Sequence, residues 1–343
     1  MTEPARGEGD GERRSAMDAA LPRVDHAAGH LVRAAVTAPS VHNTQPWLFS
    51  HGEDGLDLYA DGGRRLPLCD ADGREQLISC GAALLNVRLA MRRLGHRPVV
   101  RLLPDPCDPA RLARVGWGAY ARPAADVNLM YRALWQRHTH RGAFRPSPLP
   151  PPLTAELREH ARAEGAELYT VRAPHALRHL GELVRTAEAA HRHDPGYRAE
   201  LAHWSRPGRD GRPDGVPVGS CAGRPDGTGL TGRDFTGLCR AVPAEPVRRS
   251  PGAGLVVVLT TPGDTPEDWL RAGLALQRVL LHATVRWTAA AFHTQPLEVP
   301  WLREQVRTAI TRGEFPQMIL RLGHCARDRA TPRRPVEAVL TAG

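Results

Sequence analysis

The sequence predicts an α+β protein, one large domain or two smaller ones, in which a weak internal repeat relates two segments. First, predicted helices and strands alternate in two successive series, the second starting near residue 123. Second, segment 80–89 (Cys-Gly-Ala-Ala-Leu-Leu-Asn-Val-Arg-Leu) lies over 272–281 (Ala-Gly-Leu-Ala-Leu-Gln-Arg-Val-Leu-Leu) without gaps, so that Gly81 meets Gly273 and Val87 meets Val279. Each of these helices precedes an extended segment, although shared helix periodicity accounts for part of the match. Third, 343 residues with 41% hydrophobic and 24% charged side chains supply core for one large domain or two smaller ones.

Residues 1–20 are polar, charged and glycine-rich, contain no apolar signal-peptide segment, and read as a disordered tail. Segment 24–37 reads as a helix with Val24, Leu31 and Ala35 near one face. It stops at Ala38-Pro39, because proline cannot continue a helix and restricts the residue before it. Segments 47–49 and 56–59 read as short strands joined by a turn. A long helix over 74–94 closes at Gly95, a residue suited to a left-handed cap, and 99–103 is a strand that runs into a proline-rich loop. In the second series, 126–137, 154–163 and 174–193 read as helices, with a strand at 168–171. Then come a buried strand at 255–260, a long helix at 266–290, a shorter one at 301–311 and a final strand at 318–322. The expected division is a tail at 1–20, a first half at 21–122, and a second half at 123–343 with an insertion at about 191–245. Within the insertion, 205–233 is dense in Gly, Pro, Arg and Asp and reads as a mobile loop or lid.

All 46 basic side chains are arginine. Without lysine there is no phosphate-loop lysine, no Schiff-base chemistry and no lysine general base. The net charge of +9 could suit nucleic acid, but the arginines are dispersed and only five Phe and five Tyr offer stacking surface, so no such role is expected. The longest apolar run, 255–259, cannot span a bilayer, and a cytoplasmic protein without a membrane role is expected. The six cysteines form no CxxC pair, which argues against a zinc ribbon or a redox dithiol.

Three weaker signals are outweighed. The Gly227-to-Gly232 match to GxGxxG follows no apolar strand and opens no clear helix, so it reads as loop glycines. His175 and His179 stand one helical turn apart without a carboxylate cluster, so no metal site is expected. No GxSxG elbow marks a serine nucleophile, and no residue is assigned a catalytic role.

The sharpest feature is Ala38-Pro-Ser-Val-His-Asn-Thr-Gln-Pro-Trp47, which packs a helix stop, two side-chain amides, a second proline and a tryptophan into one segment. Taken alone it is a capped turn with a core tryptophan. It equally describes a rigid loop presenting amide donors and acceptors beside an aromatic wall, which suits a flat heteroaromatic ring.

This stretch resembles the signature loop of the nitroreductase-like flavoproteins, through Pro39, Ser40, Asn43, Gln45, Pro46 and Trp47. In that family the loop lies against the FMN ring. A family Arg-Ser-Arg run that grips the FMN phosphate is loosely matched by Arg137-His-Thr-His-Arg141, with Thr139 in the serine position. Arginine forks and a hydroxyl are sound phosphate ligands. The segment Phe315-to-Gly323 resembles the family's closing strand, and Thr331-Pro-Arg-Arg-Pro335 follows where relatives place further basic ligands, a role that falls to Arg333 and Arg334. On their own, these arginines would read as solvated charges. The order of motifs over about 24–340 is similar to the Acg branch, which comprises double-length, dormancy-associated members.

The resemblance implies a nitroreductase-like fold in which two tandem half-domains, each a sheet flanked by helices, form an intramolecular pseudo-dimer, as a monomer or weak homodimer. Only the first half holds the ring-contacting loop; His293-Thr-Gln-Pro-Leu297 is a partial echo. One complete FMN site and one degenerate site are therefore expected. The implied activity is ping-pong: NAD(P)H reduces FMN, which then reduces a nitroaromatic or quinone. The alternative is an FMN-holding or sensing protein whose insertion closes the flavin site.

Overall fold

The computed structural model describes residues 24–52, 55–206, 211–217, 230, 232–235, 254–325 and 330–342. The expected tail at 1–20, the glycine run 227–229 and most of the expected lid lie outside the described residues.

Two sheets are built on one plan. The first has the order β11-β1-β2-β4-β3, with β1 Trp47–Gly52, β2 Gly55–Ala60, β3 His96–Leu102, β4 Arg111–Tyr120 and β11 Leu340–Ala342. The second has the order β5-β8-β10-β9, with β5 Glu167–Val171, β8 Leu255–Thr261, β9 Ala289–Phe292 and β10 Phe315–Gly323. A minor pair, β6 Ser205–Arg206 and β7 Val216–Pro217, stands apart. Within each four-stranded unit all pairings are antiparallel, and one long helix connects the second strand to the third. These helices are α2 Arg74–Arg93 and α7 Pro266–Val285. The molecule is thus α+β, with two tandem halves of one topology forming a pseudo-dimer.

The halves meet along α2 and α7, and the sequence repeat marks the crossing. A Cβ on Gly81 would come within 2.2 Å of the Leu270 carbonyl oxygen, and one on Gly273 within 2.1 Å of that of Ile78. Only glycine at both positions lets the backbones approach this closely. Further along the contact, Gln277 Nε2 donates to Asn86 Oδ1 at 2.8 Å, and Glu164 bridges Arg88 and Arg278. Arg74, at the start of α2, donates to the Gln317 carbonyl of β10 at 2.7 Å. These polar contacts pair across the seam, although Gln277 Oε1 is left buried without a partner.

Local signals fix the helix ends. Helices α4 Pro151–Arg162, α5 Pro174–His193, α6 Pro195–Trp204, α7 and α8 Pro300–Ala309 all open with proline in the first turn, where its missing N–H costs nothing. Thr265 and Asp268 close a capping box on α7. The helix expected to run to residue 290 ends at Val285, because Trp287 takes a left-handed conformation (φ 55°) and Ala289 begins β9. Helix α1 (Val24–Ala35) and helix α3 (Ala125–Ala133) also stop short of their expected ends. Strands β4, β9 and β11 replace segments expected as loop, helix and tail.

The final strand crosses over. β11 leaves the second half and pairs in parallel with β1, Phe49 lying opposite Leu340. The C-terminal segment of a chain whose second half was expected to run to its end thus completes the first sheet. Equivalent connections differ sharply between halves. The link from α1 to β1 spans residues 36–46, whereas that from α4 to β5 spans only 163–166. Conversely, the tight β1–β2 turn corresponds to everything between β5 and β8, which includes α5 and α6.

Candidate functional site

The signature loop fills that long α1–β1 link. After Pro39 it enters a 3₁₀ turn at Val41–Asn43, and three non-glycine residues adopt positive φ: His42 (47°), Asn43 (57°) and Gln45 (52°). Such conformations persist where surroundings over-determine them, and they concentrate at functional sites. The constraints are visible. Ser40 Oγ accepts from Gln45 N at 2.9 Å, Ser79 Oγ from Val41 N at 3.3 Å, and Cys80 donates to the Pro46 carbonyl. Trp47 starts β1, as the strand reading expected, and is fully buried in the first core, which is the core-tryptophan alternative rather than an aromatic wall. The alternating pleat turns it inward beside Phe49.

The C-terminal tail straps onto this loop. Arg333 donates to Asn43 Oδ1 at 3.0 Å and to the Thr37 carbonyl at 3.4 Å. Arg137, from the motif after α3, donates to the same Thr37 carbonyl at 3.1 Å, so two guanidiniums converge on one oxygen. Arg333 Nε is enclosed without a hydrogen-bond partner. Desolvation and the neighbouring Arg141 cation pull its pKa down to about 10. The structure therefore brings together Arg137, Arg141 and Arg333, which lie far apart in sequence. Thr139 sits between the two arginines of its run and is pinned by a backbone bridge to Ala290 of β9. Arg334 points elsewhere: it donates to the Gln45 carbonyl at 3.1 Å, to the Ala338 carbonyl at 2.8 Å, and to Asp61 Oδ2 at 3.2 Å. Its backbone N–H also donates to Gln45 Oε1 at 2.7 Å.

Two pieces of the expected insertion reach the same place. Asn43 Nδ2 donates to the Gly215 carbonyl at 3.0 Å, Gln45 Nε2 to that of Pro213 at 2.7 Å, and Arg64 to Asp214 at 3.0 Å. Segment 232–235 brings Phe235 edge-on against His42, with the Arg141 guanidinium over its ring at 5.8 Å. It is anchored by Arg233, which pairs with Glu298 and meets the Tyr197 hydroxyl. His191 stacks on Tyr197 at 4.0 Å. Burial, reinforced by Arg233, holds His42 down to about 3 and His191 down to about 4, so both are neutral at physiological pH. The Arg233 guanidinium keeps Glu298 ionised below the usual carboxylate range despite its burial. Burial pushes the Cys69 thiol, 3.4 Å from His42 Nε2, well up, which makes it an inert thiol.

Sequence reasoning missed Arg64, Asp61, Asp214 and the Arg233–Glu298 pair. Each is a single charged residue in a loop or terminus, and only the fold pairs them. No group of three or more His, Cys, Asp or Glu side chains able to hold a metal occurs among the described residues. No described helix is long and apolar enough to cross a membrane.

Two sheets of one topology, with a strained amide-bearing loop and converging arginines near it, define a tandem α+β protein of two related halves. Comparison with known sequences makes this specific. The chain is 34% identical over 336 residues to the Mycobacterium tuberculosis protein named "Putative NAD(P)H nitroreductase Rv3131", covering 96% of this chain and 95% of the relative. It is 31% identical over 317 residues to "Putative NAD(P)H nitroreductase acg" of the same species, covering 90% and 93%. The chain belongs to this nitroreductase family. No protein-family model matches it. Among solved structures, a nitroreductase with bound FMN from Desulfitobacterium hafniense has a TM-score of 0.40 at 13% identity, over 62% of this chain and 97% of that one. The FMN-dependent nitroreductase NfnB of Mycobacterium smegmatis, in complex with NADPH, has a TM-score of 0.38 at 18% identity, over 62% and 96%. Family membership rests on the sequence relatives.

Proposed function

We propose that the chain binds one FMN at the junction of its halves and uses NAD(P)H to reduce a nitroaromatic or quinone. The observation that carries this reading is Arg333. Its hydrogen-bond acceptors are neutral, its Nε is enclosed without a partner, and the charge acting on it is another cation, Arg141. A desolvated cation beside a like charge is costly unless an anion joins it. A terminal phosphate is such an anion, and Arg137, Arg141 and Arg333 are the groups that would hold it, with Thr139 between the first two. Arg334 we assign to bracing the loop, because it already bonds Asp61 and Gln45.

Bound FMN would supply the hydride chemistry, for which no protein acid or base is needed. The chain's own part is binding and orientation. Asn43 and Gln45 carry the amides that the family's loop directs at the ring edge; here they bond Gly215, Pro213 and the tail, so they would exchange partners on binding FMN. His42 is neutral at physiological pH, so it would contribute shape and a hydrogen bond rather than a proton.

A second reading, FMN holding without turnover, is favoured by one observation. The amides of Asn43 and Gln45 already donate to Gly215 and Pro213 of the insertion, which therefore lies over the loop. Anaerobic titration separates the two. Yellow protein bleached by NADH or NADPH supports the reductase, whereas yellow protein bleached by dithionite alone supports holding. Protein that takes up no FMN defeats both.

A further inference from the structure

The end of the first sheet where α2 turns into β3 plays no part in the flavin reading. From residue 77 to 104 and from 111 to 125 the sequence contains no Asp or Glu, yet it carries eight arginines at 88, 92, 93, 97, 101, 111, 114 and 122. Arg88 and Arg111 pair with Glu164 and Asp57. Arg93, Arg97 and Arg122 are exposed, and none has an acidic partner among the described residues.

These arginines rim an exposed apolar end. Leu94 is 42% exposed, Trp117 37% and Tyr120 74%. Both rings are held in place. The Tyr120 ring lies over Gly95, where a Cβ would meet its Cε2 at 2.5 Å, and Gly95 affords that space in a left-handed turn (φ 88°). His96 packs edge-on against Trp117 at 5.3 Å and Tyr120 at 6.3 Å. Ordering two amphipathic rings at a solvent-facing end gains the monomer little burial.

We propose that this end is a peripheral docking surface for anionic lipid. The exposed arginines attract anionic headgroups, the amphipathic Trp117 and Tyr120 suit the headgroup region, and Leu94 offers aliphatic surface to acyl chains. A second copy of the chain is disfavoured because like-charged rims would face each other. A single-stranded nucleic acid would use the charge and rings but gains nothing from Leu94.

The test is co-sedimentation of the full chain with phosphatidylglycerol–phosphatidylcholine vesicles. Binding is expected with the anionic vesicles, absent with phosphatidylcholine alone, and weakened by salt. The triple variant Arg93→Glu, Arg97→Glu, Arg122→Glu should lower partitioning at least about a hundredfold. Tyr120→Ser alone, a mild surface change, should weaken it measurably, and lipids brominated in their acyl chains should quench wild-type tryptophan emission more than that of Trp117→Phe. Failure to bind anionic vesicles overturns the proposal, as does binding indifferent to these variants in protein that unfolds at the wild-type temperature. Saturable oligonucleotide binding without vesicle binding would assign the surface to nucleic acid instead.

Discussion

Arg333 shows how one side chain can be ordinary in sequence and decisive in place. On its own in a proline-flanked tail it reads as a solvated charge, and only the family resemblance assigned it a phosphate; the fold sets it against Arg141 and the Thr37 carbonyl and gives Arg334 a different task. Replacing Arg333 by Gln should weaken FMN binding by about 1.5–3 kcal/mol, the range for a charged hydrogen bond. Arg334→Gln should act mainly on stability, by freeing Asp61 and Gln45. Equilibrium dialysis with FMN and thermal unfolding distinguish the two, and reversed effects would exchange the assignments. His42 gives a pH signature. Its folded pKa of about 3 lies below the ordinary 6.5, so between those values the unfolded chain binds the extra proton. Stability should therefore be lost as pH falls from 6.5 towards 3, with no contribution above that window. His42→Asn, which tolerates the left-handed backbone, should remove this part of the slope, and parallel curves for both proteins would contradict it. The amides of the loop were legible because proline, asparagine and glutamine at fixed spacing carry a local message. The charged partners Asp61, Asp214 and Glu298 carried none, since their meaning depends on contacts across many intervening residues.

At the scale of elements, the Gly81–Gly273 crossing is the most exacting contact. Gly81→Ala places its methyl group against backbone on α7, which cannot yield as a side chain could, and should cost about 1–3 kcal/mol as an overpacking change. Denaturant unfolding measures it, and a neutral result would mean that the helices can separate without loss. Trp287 offers the opposite case. It is 85% exposed and held at φ 55°, at the repeat position where the first half has Gly95. Trp287→Gly should stabilise the protein by about 0.5–1 kcal/mol, because relief of left-handed strain exceeds the entropy cost of glycine. Long amphipathic helices and proline-started turns were readable from sequence for the same physical reason, namely that their signals are local. β4 alternates arginine and glycine with its apolar residues, and β9 is mostly alanine. Neither has intrinsic strand preference, and both exist because a neighbouring strand pairs with them.

At the scale of the molecule, the repeated strand order describes two copies of one unit, altered in opposite directions. The first copy keeps the long α1–β1 link that forms the site and receives β11 on its edge. The second reduces that link to four residues, 163–166, and expands another connection into an insertion that returns to cover the first copy's loop. The sequence repeat at the two glycines hinted at this duplication, but the crossover of β11 was not legible, because pairing across the whole chain leaves no local pattern. The proposed function expects one FMN site per chain from this asymmetry. The most direct test is the FMN-to-polypeptide ratio of the reconstituted full-length protein, from flavin absorbance after denaturation and quantitative amino-acid analysis. One FMN per chain, lost on Arg333→Gln, is the predicted result; two per chain, or one that survives that substitution unchanged, would contradict it.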